Sequence, residues 1–184
     1  MHGLHLKRAV HICEMGGIIA YPTEAVFGLG CLPFYEQSVR RLLFLKRRSM
    51  KKGLICVAAD MSQLECYVDF DKVSNLEMIS QTWPGPVTWL IPAQKETPYW
   101  LIGSHSTLAV RVSANPLVQS LCKLLGPIVS TSANPHGSAP AYNTQRVRSY
   151  FRDNIDYILP GNLDTKGNPT EIRDGISGDI VRAH

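Results

Sequence analysis

Within one short run the chain places Lys46, Arg48, Lys51 and Lys52, between an apolar-periodic stretch and an unbroken apolar one. A loop carrying such cations can wrap a polyphosphate, because guanidinium and ammonium groups give charge-assisted hydrogen bonds to phosphate oxygens. A solvated charged face and an RNA-contacting patch are the other readings the run permits. Thr23 follows a strand-like segment and Pro22, in a stretch whose Gly28 and Gly30 allow a small ligand close to the backbone. A hydroxyl bonded within its own turn also explains Thr23. Arg111 sits in the apolar segment Leu108-Ala109-Val110-Arg111-Val112 with no carboxylate beside it in sequence. It is either paired across a sheet or open to an anion, and its forked donors suit a carboxylate. Ser130, Thr131, Ser132 and Asn134 bring hydroxyls and an amide to the end of another strand-like segment, where they form a polar turn or converge on phosphate oxygens.

Other chemistries lack their residues. No G-x-x-x-x-G-K-[ST] phosphate loop exists, and Gly28-Leu29-Gly30-Cys31-Leu32-Pro33 lacks the third glycine of a dinucleotide fingerprint. The six histidines form no H-E-x-x-H or clustered ligand set, and no serine lies in G-x-S-x-G. His105 and His136 fall in loop-like segments and are not assigned as bases. No general acid or base is assigned, so the polar residues read as a set that binds and positions.

The elements that must hold these residues alternate. Leu6, Val10 and Cys13 at helical spacing predict a helix over 6–15, stopped by Gly16-Gly17. A strand over 18–21 follows, then a loop over 22–33, a helix through Val39, Leu42, Leu43 and Leu45, and a buried strand over 54–58. Helical patterns over 62–67 and 74–82 precede the turn Pro84-Gly85-Pro86 and strands over 87–91 and 107–112. Asn115-Pro116 supplies a cap and first-turn proline for a helix over 117–125, closed by Gly126 before a strand over 128–131. Thr144 is the expected cap of a helix to Phe151, and strands near 157–159, 170–173 and 179–182 finish the chain, the last two as a hairpin. This order implies one α/β domain over 1–184, with a mixed sheet.

The 184 residues, 45% hydrophobic and 18% charged, suffice for one substantial core. Nineteen Lys plus Arg against fifteen Asp plus Glu leave a formal charge of +4, which suits nucleotide or RNA partners. Five cysteines, odd in number and without a C-x-x-C pair, read as reduced core thiols of a cytoplasmic protein. The sequence has neither the order of a signal peptide nor an apolar run long enough to span a membrane.

The stretch Tyr21-Pro22-Thr23-Glu24-Ala25-Val26-Phe27-Gly28-Leu29-Gly30 and the run Lys46-Arg47-Arg48-Ser49-Met50-Lys51-Lys52-Gly53-Leu54 resemble the signature of YrdC-type threonylcarbamoyl-AMP synthases. Ser130-Thr131-Ser132-Ala133-Asn134, then Asn168-Pro169-Thr170-Glu171-Ile172-Arg173-Asp174 and Arg182, follow in that family's order. The resemblance implies a YrdC-like α/β fold, a twisted mixed sheet flanked by helices. It implies formation of threonylcarbamoyl-AMP from L-threonine, bicarbonate and ATP, with Mg²⁺ accompanying the ATP, and a product passed to the tRNA threonylcarbamoyl-transfer machinery. It assigns Thr23 and Arg111 to L-threonine, and Lys46, Arg48, Thr107, Ser132, Asn134, Thr170 and Arg182 to ATP. Lys46 and Arg48 also supply electrostatic positioning. Two departures stand out: Ser49 replaces a usual proline, leaving the loop less rigid, and Ala183-His184 replaces Pro-Gly, leaving Arg182 near a frayed end.

The competing reading is a non-catalytic RNA-binding module that uses the 46–52 patch with Trp83, Trp89 and Trp100. Direct tRNA contact is compatible with either reading. A carbamoyl-transfer domain like that of hydrogenase maturation factors is disfavoured, because the cysteine-rich zinc segments are absent. No residues remain for the extra domain of the longer synthases.

Overall fold

The computed structural model describes residues 2–74, 76–163 and 170–183. In chain order the elements are α1 His2–Glu14, β1 Ile19–Pro22, β2 Phe27–Cys31, α2 Glu36–Leu45, β3 Ile55–Ala58, α3 Leu76–Thr82, β4 Thr88–Pro92 and α4 Tyr99–Ile102. They continue with β5 Thr107–Val112, α5 Pro116–Leu125, β6 Ile128–Ser132, α6 Thr144–Phe151, β7 Tyr157–Ile158, β8 Ile172–Asp174 and β9 Ile180–Arg182.

Among the described residues the strands form one nine-stranded mixed sheet of order β7-β1-β2-β6-β3-β5-β4-β8-β9. Strand β6 inserts between β2 and β3 and runs antiparallel to both, whereas β3 and β5 pair in parallel. Alternation along each strand splits the core into two faces. One face gathers Leu29, Cys56, Val110 and Val129 with Leu42 of α2, Ile79 of α3, Leu101 of α4 and Val147 of α6. The other gathers Ile19, Tyr21, Val57 and Ile128 with Cys13 of α1 and Val118 and Leu121 of α5. Full burial of a large aliphatic side chain is worth roughly 1.5–3 kcal/mol, so the sheet is held from both sides. Of the five free thiols, Cys13, Cys31, Cys56 and Cys122 are buried and Cys66 is exposed.

Local signals explain the boundaries. Gly16 adopts φ +79, where an L side chain is strained, and ends α1. Asn115 caps α5, its side chain accepting from the Leu117 and Val118 amides. The cap of α6 is Asn143 rather than Thr144: its carboxamide oxygen accepts the Arg146 amide.

The largest departure from expectation is β2, which lies inside the stretch 22–33 read as loop. Glycine pairs are poor strand formers, yet here they have a packing role. A Cβ on Gly30 would lie 2.8 Å from Tyr21 Cε1 and 2.7 Å from the Val129 carbonyl oxygen. The Tyr21 ring therefore lies across β2, and its hydroxyl donates to Ser130 Oγ on β6 at 2.7 Å. Thus Gly28 and Gly30 make room for a tyrosine of the chain itself. The short helix α4 also went unpredicted, and the stretch 62–67 forms only a 3-10 turn at Ser62–Leu64.

Candidate active site

On the face shared with α1 and α5, part of the sheet borders a cavity of about 190 Å³. Its lining includes Thr23, Glu24, Arg48, Arg111, Ser130, Thr131, Ser132, Thr170 and Arg182, drawn from distant parts of the chain. Thr23 and Glu24 belong to the tight turn between β1 and β2, closed by the Thr23 amide bonding the Val26 carbonyl. Arg111 faces the cavity from β5, and Ser130 and Ser132 do so from β6. The β8–β9 hairpin brings Arg182, whose guanidinium donates to the Thr170 carbonyl at 2.8 Å. That bond fixes a side chain which sequence reasoning placed near a frayed end.

Three guanidiniums and one carboxylate thus share the cavity lining among the described residues. Arg111 is 8% exposed and lies 3.5 Å from Glu24 Oε2, and Glu24 Oε1 accepts from the Ser113 hydroxyl at 2.5 Å. Sequence inspection found no carboxylate near Arg111; the hairpin turn provides one. Burial first, then the neighbouring Arg182, holds Arg48 below the ordinary guanidinium value. Burial first, then Arg111, does the same to Arg182. Buried Nε atoms of Arg48 and Arg111 have no hydrogen-bond partner. Crowded cations with unfilled donors are what a polyanion relieves.

Other predicted residues fall differently. Thr23, 7% exposed, spends its hydroxyl proton on the Val26 carbonyl at 2.7 Å. It lines the cavity as an acceptor. Lys46 is not among the lining residues; its ammonium donates to the Ser132 carbonyl and, at 2.9 Å, to the Asn134 carbonyl. Its own carbonyl accepts from the His136 amide at 2.8 Å, so Lys46 ties down the 132–138 loop. Burial first, then Arg48, lowers its pKa to about 8. Asn134 turns inward and donates to the Ser138 carbonyl at 2.6 Å, while its buried Oδ1 has no partner. Thr107 opens β5 on the same strand face as Arg111, about 13 Å away at ~3.3 Å per residue. Neither Thr107 nor Asn134 lines the cavity.

Of the basic run, Arg48 alone reaches the cavity lining, and Lys51 and Lys52 are exposed. Ser49 has φ −63, the value proline would fix, and its hydroxyl accepts from the Lys51 amide, so the turn keeps the proline geometry. Asn168 and Pro169 of the C-terminal segment lie outside the described residues. His105 and His136 do not line the cavity. Sequence reasoning assigned no role to Glu24 or Tyr21; their only signal was their place near Thr23 in the stretch 21–30.

Two of the three tryptophans of the RNA-binding reading are unavailable for stacking on bases, and the third is half-buried. Trp83 and Trp89 are buried, their indole nitrogens donating to the Val87 carbonyl and the Thr82 hydroxyl. The Trp100 indole donates to the Pro33 carbonyl. That reading loses two of the three rings of its aromatic platform.

Comparison with known proteins adds four findings. The Sua5_yciO_yrdC family model, described by the words "Telomere recombination", matches residues 11–184. A Pseudomonas aeruginosa protein named threonylcarbamoyl-AMP synthase is 49% identical over 174 residues, covering 95% of this chain and 94% of that one. Among solved structures, P. abyssi Sua5 complexed with L-threonine superimposes with a TM-score of 0.85 at 30% identity, covering 92% of this chain and 50% of that one. E. coli YciO gives a TM-score of 0.84 at 27% identity, covering 99% and 89%. The chain thus spans about half the length of the Sua5 protein and nearly all of the Pseudomonas one.

Proposed function

The chain belongs to the Sua5/YciO/YrdC family, and we propose that it is an L-threonylcarbamoyladenylate synthase. This nucleotidyltransferase joins L-threonine, bicarbonate and ATP into threonylcarbamoyl-AMP, releasing pyrophosphate and water. The observation that carries the reading is the convergence of Arg48, Arg111 and Arg182 on a hydroxyl-lined cavity. Threonine nitrogen and bicarbonate form a carbamate, whose oxygen attacks the α-phosphorus and expels pyrophosphate. Both partners in that attack are anions, so the barrier falls chiefly when fixed cations hold them together.

Each group has a place in that scheme. Arg111 grips the threonine carboxylate, and Thr23 accepts a hydrogen bond from the same ligand. Arg48 and Arg182 neutralise the triphosphate, with Thr170 and the Ser132 hydroxyl beside them. Lys46 adds positive charge from behind the 132–138 loop. A nucleotide running out of the cavity would meet Thr107 along β5 and Asn134 at the loop. The described residues bring no three carboxylate, imidazole or thiol groups together as a metal cage. Mg²⁺ therefore travels with the triphosphate, held by phosphate oxygens and water.

The product supplies the modification of tRNA to threonylcarbamoyladenosine. A cytoplasmic location is consistent with five free thiols, and among the described residues no helix is long and apolar enough to cross a membrane. The test is pyrophosphate release from ATP, expected only when threonine and bicarbonate are both present. Release indifferent to threonine overturns the reading. Arg111→Ala should raise the threonine KM at a cost of about 2–4 kcal/mol in kcat/KM, as loss of a charge-assisted donor does. An unchanged KM in a folded variant removes the carboxylate assignment.

A further inference from the structure

Carbamate formation leaves a proton to be placed. Threonine enters as an ammonium with three N–H bonds, and only one survives in the carbamate. As the N–C bond forms and the C–O bond of bicarbonate breaks, the departing hydroxide takes one proton and leaves as water. The other needs a base. Among the described residues that line the cavity, Glu24 is the only one with a carboxylate, and none is a histidine, lysine, cysteine or tyrosine.

The geometry points to Glu24 as a catalytic residue, which receives the substrate ammonium and takes up the proton whose loss frees the nitrogen lone pair to bond to the bicarbonate carbon. The inference rests on the synthase reading above. Its geometric basis is the pairing of opposite charges on one wall: Glu24 Oε2 lies 3.5 Å from the Arg111 guanidinium. An α-amino acid carries its carboxylate and ammonium on adjoining atoms, so a cation and an anion side by side match both ends. The unpartnered Nε of Arg111 leaves a donor for the substrate carboxylate.

Glu24 is also held for the task. Ser113, fully buried just past β5, donates its hydroxyl to Glu24 Oε1 at 2.5 Å. The turn that carries Glu24 is pinned by Thr23, whose amide and hydroxyl both bond the Val26 carbonyl. A base fixed by its own turn and by a neighbouring strand spends little energy on reorganisation. The step balances: glutamate, substrate ammonium and bicarbonate become glutamic acid, carbamate and water. Glu24, whose side chain is 18% exposed, then returns its proton to solvent.

The test separates proton uptake from mere support of Arg111. Glu24→Gln keeps the shape and an oxygen acceptor for Ser113 but cannot take a proton. Forward pyrophosphate release should fall roughly 10²–10⁴-fold, the usual share of a general base. The reverse adenylyl transfer, ATP formation from threonylcarbamoyl-AMP and pyrophosphate, moves no ammonium proton and should persist. Equal loss in both directions overturns the proposal, as does an unimpaired forward rate. Direct binding guards against a misfolded variant. Wild-type protein should bind threonine more tightly than its hydroxy-acid analogue, in which a hydroxyl replaces the amine, and equal binding overturns ammonium recognition. Wild-type protein that needs no threonine for pyrophosphate release sinks the synthase reading itself, whereas normal wild-type turnover with a fully active Glu24→Gln sinks this inference alone.

Discussion

Lys46 shows how a residue picked out from sequence can sit elsewhere than its run suggests. The basic run announced a cation near phosphates, and the chain instead holds this one between the Ser132 and Asn134 carbonyls, under the loop. Arg111 and Glu24 show the reverse. Each is plain in sequence, but their pairing is not, because the strand-end Ser113 that anchors Glu24 is 89 residues away from it. Lys46 also makes a pH prediction. Its folded pKa, about 8 against an ordinary 10.5, lies below the unfolded value. The native state therefore binds fewer protons than the unfolded chain between those values, so this residue's contribution to stability rises with pH across that window. Anion affinity moves the other way, since the ammonium loses its charge above about pH 8. The ATP KM should climb above that pH in the wild type, and Lys46→Arg, whose guanidinium does not titrate there, should flatten the climb. A wild-type KM that stays level from neutral pH to pH 10 would show that Lys46 charge does not reach the nucleotide.

At the scale of elements, most helices and most strands were legible because periodicity and caps are local. Asn115-Pro116 before α5 and Gly16 after α1 act within a few residues of their signals. Strand β2 was hidden because its logic is tertiary: its glycines answer to a tyrosine on β1 that reaches past them to β6. Gly30→Ala should therefore cost about 1–3 kcal/mol by overpacking. The new methyl would press on the Val129 carbonyl, part of the paired strand, as well as on the Tyr21 ring. Chemical denaturation would read the loss as a lower midpoint at an unchanged m-value. A variant as stable as the wild type would mean that the ring and the neighbouring strand yield without cost.

For the molecule as a whole, the mixed α/β class followed from the order of elements, whereas the strand order did not. Nothing local to residues 128–132 says that this strand slots between β2 and β3, yet that insertion brings Ser130 and Ser132 beside the hairpin turn of Thr23 and Glu24. The two-sided core has a further consequence, because its thiols can serve as a clock. Burial pushes the thiols of Cys13, Cys56 and Cys122 up to about 12, and Cys31 is also raised by burial. Deprived of thiolate, these groups ignore alkylating reagents until their surroundings open. Cys66 should be alkylated promptly in the folded protein, and the other four should follow together at the rate of global unfolding, as timed by mass spectrometry. Cys13 and Cys122 belong to one face of the sheet and Cys31 and Cys56 to the other. Two separated waves of labelling would contradict a single cooperative opening, and the order of the waves would tell which side lets go first.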